Sequence, residues 1–128
     1  MAAINAYRMD GLGNDFIIID RRENSIEIKK NKIIELGNRA NIGFDQIIFI
    51  EKQKEDFYPI TIYNSDGGEV SACGNGARCL AYFLSENLNK KEIQIKTNNR
   101  NILPFFILEI IVIFIVMDNF YIHQILSQ

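Results

Sequence analysis

Asn64-Ser65-Asp66-Gly67-Gly68-Glu69-Val70-Ser71-Ala72-Cys73-Gly74-Asn75-Gly76-Ala77-Arg78 sets one thiol among glycines. Upstream, Pro59-Ile60-Thr61-Ile62-Tyr63 alternates as a strand does, and downstream Ala77, Leu80, Ala81, Leu84 and Leu88 recur at helical spacing. The stretch therefore reads as strand, turn and helix, with Cys73 at or near the helix N-terminus. Unpaired backbone N–H groups and the positive end of the helix dipole favour an anion there, either the thiolate or the carboxylate of a ligand. In such a place a thiol's pKa falls from about 8.5 towards neutrality, which suits Cys73 to proton transfer or nucleophilic attack. Gly74 and Gly76 lack side chains, so a substrate can come close to the backbone donors. A lone cysteine is ordinarily a buried structural residue, and it is the Gly-Asn-Gly flank at a strand-to-helix junction that favours chemistry here. In Ser65-Asp66-Gly67-Gly68, Asp66 is expected to bond local backbone and the glycines are free to take positive φ.

Working outward to the N-terminus, Ala6 to Met9 reads as a short strand and Phe16 to Asp20 as an apolar one, joined by Asp10-Gly11-Leu12-Gly13-Asn14-Asp15 in a hairpin-like start. Gly11 and Gly13 form a G-x-G, but Phe16 replaces the third glycine and no helix follows, which excludes a dinucleotide-binding reading. Asn14, taken alone, is a turn residue. Arg21 to Asn31 is polar and is expected to be a solvated connection. Lys32 to Arg39 forms a short helix burying Ile33, Ile34 and Leu36 and ending at Gly37-Asn38. Asn41-Ile42-Gly43-Phe44-Asp45 then turns the chain into the buried strand Gln46 to Glu51. Glu51 to Asp56 is a charged turn before the strand Phe57 to Asn64, and Glu92 to Thr97 alternates as a half-exposed strand.

At 128 residues, with fourteen basic and sixteen acidic side chains, the chain suits one domain and carries no basic patch. Nucleic acid is therefore not an expected partner. The first residues show no basic segment followed by an apolar run, so a cytoplasmic, reducing location is the expectation. Cys73 and Cys79 make no zinc pattern. On one helix they would lie about 9 Å apart along the axis, beyond the roughly 7 Å reach of a disulfide. Cys79 should point into packing.

After Asn101 the character changes. Residues 102–117 are apolar except for Pro104 and Glu109, too short a run for an ordinary membrane span of about 20 residues and burdened by a buried charge. Membrane contact through this run is not expected. A reading-frame shift near residue 100 in an A- and T-rich gene accounts for it better, and the 24 Ile and 14 Asn of the chain fit such a base composition. His123, the only histidine, lies beyond this point and is given no catalytic role.

The central stretch resembles the signature of the diaminopimelate epimerase family, and Tyr7-Arg8-Met9-Asp10-Gly11-Leu12-Gly13-Asn14-Asp15-Phe16 and Arg39-Ala40-Asn41-Ile42-Gly43-Phe44-Asp45-Gln46 resemble two further blocks of it. The similarity covers roughly residues 4 to 101 and corresponds to the N-terminal half of a complete member. It implies an α+β fold in which a mixed sheet wraps around a central helix, with residues 1–101 as the N-terminal domain and 102–128 as an apolar tail unlike the family. It also implies a cofactor-independent, metal-free isomerase interconverting LL- and meso-diaminopimelate, an intermediate of lysine and peptidoglycan precursor synthesis, by two cysteines on opposite faces of the α-carbon. Cys73 matches the first. Gly74 and Asn75 match the α-carboxylate site, and Asn14, Gln46 and Asn64 match residues that hold the rest of the substrate. Gly68 stands where the family usually has serine, with a change in loop stiffness as the expected effect. The second cysteine has no counterpart, so the isolated chain is expected to be inactive unless a separately encoded C-terminal half or a homodimer completes the site. A non-catalytic amino-acid-binding domain and a membrane-tethered remnant are the competing readings, and a proline or hydroxyproline racemase fits the Asn14 and Gln46 blocks less well.

Overall fold

The computed structural model describes residues 4–11, 13–70, 74–97, 103–106 and 115–122. The chain runs β1 (Ile4–Gly11), β2 (Asn14–Asp20), α1 (Lys30–Gly37), β3 (Gln46–Ile50), β4 (Tyr58–Asn64), β5 (Glu69–Val70), α2 (Gly74–Leu88), β6 (Glu92–Thr97), β7 (Leu103–Phe106) and β8 (Ile115–Ile122). All the strands join one mixed sheet of eight, in the order β7-β6-β4-β3-β2-β1-β8, with β5 beside β4. The β2–β3 and β4–β6 pairs are parallel and the rest antiparallel.

Helices cover both faces, which explains the unbroken isoleucine runs of β2 and β3. On one face Met9, Phe16, Ile18, Ile48, Ile50, Ile60 and Ile62 pack against Leu80, Ala81 and Leu84 of α2. On the other, Ile17, Ile19, Ile47 and Phe49 pack against Ile33 and Leu36 of α1 and against Phe44. Successive strand residues therefore serve opposite cores, and each fully buried isoleucine contributes roughly 1.5–3 kcal/mol.

The expected hairpin start is present and longer than the apolar pattern, with Gly11 opposite Asn14. Helix α1 begins two residues earlier than its hydrophobic spacing and ends at Gly37. Gly37 is needed for close approach, because a Cβ there would lie 2.8 Å from the Ser65 Cβ. Ile34 remains exposed instead of joining the core with Ile33. The segment after β2 is less solvated than its polarity implies. The Arg21 guanidinium lies 4.1 Å over the Phe49 ring, pairs with Glu51 and donates to the Ile26 carbonyl at 2.9 Å. Ile26 and Ile28 pack against the α1-side core. The anchor is an arginine using its stem and its charge together.

Beyond residue 101 the chain adds two strands to the same sheet. β7 pairs with β6, and β8 pairs with β1 along its whole length, Ile4 opposite Ile122 and Gly11 opposite Ile115. Among the described residues no helix is long and apolar enough to cross a membrane. His123 and residues 107–114 of the apolar run lie outside the described residues.

Candidate active site

The three amide side chains singled out in the sequence come from three adjacent strands. Asn14 opens β2, Gln46 opens β3 and Asn64 closes β4, and antiparallel pairing sets Gln46 opposite Asn64. Their parity with Phe16 and Ile18, with Ile48 and Ile50, and with Ile60 and Ile62 puts all three on the face that α2 covers. The Gln46 Nε2 donates to the Asn64 Oδ1 at 2.9 Å. Among the described residues the buried Gln46 Oε1 has no hydrogen-bond partner. A buried amide oxygen left so costs about 1–3 kcal/mol, and a donor entering the site would recover that.

Helix α2 lies with its N-terminal end towards these residues. Its second turn sets the buried Cys79 against Gly11, where a Cβ would come 2.6 Å from the sulfur, while Asn87 near its other end accepts from the Arg22 guanidinium at 2.8 Å, beside the end of β2. The Tyr7 and Phe83 rings, 4.6 Å apart, pack between those ends. Strand and helix thus run the same way, and the donors and positive dipole of the helix start face the amide cluster. Gly74 and Asn75 are its first residues. Cys73, which immediately precedes them, lies outside the described residues, as does any side-chain geometry of Asn75. Cys79 is in the core, as its position on the helix required.

The turn before the helix is tied as its composition predicts. The Asn64 N–H donates to the Gly68 carbonyl and the Gly67 N–H to the Asn64 carbonyl, each at 2.9 Å, and the Asp66 Oδ1 accepts from the Gly68 N–H at 2.8 Å. Gly67 takes a φ of 85°, which glycine adopts without steric cost. Glu69 and Val70 form β5 against Tyr63 and Ile62, a strand too short for a periodic signal.

A charged lattice beside the amides went unread in the sequence. Arg39 grips both oxygens of Asp15, at 2.6 and 2.9 Å, and reaches the Asp45 Oδ1 at 3.0 Å. Arg8 adds a 2.7 Å contact to Asp15 and donates to the carbonyls of Ile42 and Gly43 at 2.9 Å. The Asp15 side chain is 15% exposed. The hydrogen bond from Arg39 is the main reason its carboxyl is held down at about 2, and bonds from Asp45 assist against the opposing effect of burial. The same contact raises the Arg39 guanidinium above its ordinary value. The available signal was the placement of aspartates beside Asn14 and Gln46, with an arginine in the same block as Asp45.

A family model described as diaminopimelate epimerase matches residues 6–104. A diaminopimelate epimerase from Pelagibacter ubique is 48% identical over 96 residues, covering 75% of this chain and 35% of that protein. One from Chromobacterium violaceum is 40% identical over 105 residues, covering 78% and 38%. The chain spans a little over a third of the length of these curated relatives. In fold it is similar to a PhzF-family phenazine biosynthesis protein from Bacillus anthracis, with a TM-score of 0.63 and 21% identity over 87% of this chain and 38% of that one. It is also similar to a methylitaconate-delta-isomerase, with a TM-score of 0.57 and 12% identity over 84% of this chain and 35% of that one. The mixed sheet packed against α2, the amide cluster at the start of that helix and the match over residues 6–104 agree: the chain belongs to the diaminopimelate epimerase family.

Proposed function

We propose that this chain supplies one half of the active site of a cytoplasmic diaminopimelate epimerase, which interconverts the LL and meso forms without a cofactor. The observation that carries the reading is the meeting of Asn14, Gln46 and Asn64 on one sheet face at the start of α2. In this reading Cys73 exchanges the α-proton on one face of the substrate carbon. Gly74 and Asn75, at the helix start, bind the α-carboxylate and stabilise the negative charge that develops as the proton leaves. Asn14, Gln46 and Asn64 hold the rest of the molecule. A second acid must deliver a proton to the opposite face. Cys79 cannot do so, because it is buried in the core on the same helix. In this reading that group is supplied by a C-terminal half, and a second copy of the chain is the alternative source. Residues 105–128, which lie beyond the family match, are read as a frame-shifted continuation.

The test is α-proton exchange with inversion of diaminopimelate in deuterated water. The purified chain should show none, and adding a C-terminal half from a relative should produce exchange that Cys73→Ala abolishes. Exchange that survives Cys73→Ala would sink the assignment. Exchange with inversion by the chain alone, lost in that variant, would show that a homodimer supplies the second acid.

A further inference from the structure

We propose that Asp45 is a positioning residue that fixes which end of the Asn14 amide faces the site, an inference that rests on Asn14 being a substrate contact. A carboxylate can only accept, so it selects the NH2 end of a neighbouring amide. The Asn14 Nδ2 donates to the Asp45 Oδ2 at 3.3 Å, and the Asp15 N–H donates to the same oxygen at 2.9 Å. The other oxygen, Oδ1, takes Arg39 at 3.0 Å. Each oxygen of Asp45 therefore has its own task, and the carboxyl cannot rotate without breaking contacts on both sides. The backbone closes the clamp, because the Asp45 N–H donates to both the Asp15 Oδ1 and the Asp15 carbonyl at 3.0 Å.

The arrangement couples two strand mouths that the ladder alone leaves adjustable. Asp15 follows Asn14 on β2, and Asp45 precedes Gln46 on β3. The parallel pairing of those strands begins only at Phe16 with Gln46. The Asp15–Asp45 clamp holds the ends that project beyond it, and Arg39 ties the two carboxylates from outside with its planar fork. With its nitrogen committed to Asp45, the Asn14 amide has its carbonyl oxygen turned away from that carboxylate. A site built this way loses orientation before it loses its fold.

The experiment uses the full chain, selectively labelled with 15N-asparagine, with the Asn14 side-chain signal assigned by its absence in Asn14→Asp. In the unaltered protein the Asn14 NH2 protons should exchange with solvent several-fold more slowly than those of exposed asparagines such as Asn24. Asp45→Asn, nearly isosteric, should abolish that retardation while the backbone spectrum stays folded. Arg39→Lys, which keeps the carboxylate but loses the fork, should reduce it. Diaminopimelate binding should weaken roughly tenfold in Asp45→Asn, as expected for loss of one charge-assisted hydrogen bond, with little further loss when Asn14→Ala is added. An Asn14 signal unprotected in the unaltered chain, or unchanged in Asp45→Asn, would overturn the proposal even if that variant bound ligand poorly. Full additivity of the two substitutions would do the same. Should the unaltered chain bind no diaminopimelate even with the C-terminal half of a relative added, the functional reading fails, and the exchange measurement still decides the positioning role.

Discussion

Asp15 is the residue at which charge, strand geometry and the site meet. It accepts from Arg8 and Arg39 and bonds reciprocally with Asp45, and its folded-state pKa of about 2 lies below the ordinary 3.8. A depressed carboxyl contributes stability that is complete above its unfolded value and disappears as pH falls through the folded one. Thermal melts followed by circular dichroism should therefore show stability lost between about pH 4 and pH 2. Asp15→Asn should be less stable than the unaltered chain at pH 6, with a flatter profile across that acid window. A parallel acid limb in the variant would assign the loss to other carboxyls. Asn14, Gln46 and Asn64 could be singled out in the sequence because a family pattern marks them. The lattice around Asp15 could not, since Arg8, Asp15 and the block from Arg39 to Asp45 meet only when β1, β2 and the turn before β3 come together.

Helix α2 is seated by one close contact as well as by its apolar face. At Gly11 an added methyl would meet the buried Cys79 sulfur at 2.6 Å, so Gly11→Ala should destabilise the protein by about 1–3 kcal/mol through overpacking. Cys79→Ala in that background should restore most of the loss, and equilibrium urea unfolding of the single and double variants would measure the coupling. Additive losses would mean that Gly11 matters for its backbone alone. Gly11 lies opposite Asn14, so the same contact sets how far the helix start stands from the amides. Element types followed from periodicity: α2 and β6 match their patterns, and the β3 run announced a buried strand. Periodicity could not say which residues of β2 and β3 face which helix, because a strand buried on both sides has no polar face. Nor could polarity reveal that Arg21 anchors its connection, since an arginine over an aromatic ring is written the same way as one in solvent.

Across the whole molecule, both outer positions of the sheet are filled by strands from the apolar tail. β8 completes β1 along eight residue pairs. A chain ending at Asn101 should therefore melt about 5 °C lower or more, since 1 kcal/mol moves a domain of this size by several degrees. An unchanged melting temperature would show that β8 contributes nothing to the folded state. An apolar run with one proline and one glutamate does not declare itself as sheet, and its partners are set by topology rather than by neighbouring sequence. The order of the strands also bears on how the protein is made. Ile4 pairs with Ile122, so β1 leaves the ribosome well before the strand that completes it. Until β8 is made, β1 offers an open row of backbone donors and acceptors to any passing strand. Slowing the ribosome between β1 and β8 should therefore lower the soluble yield of the chain.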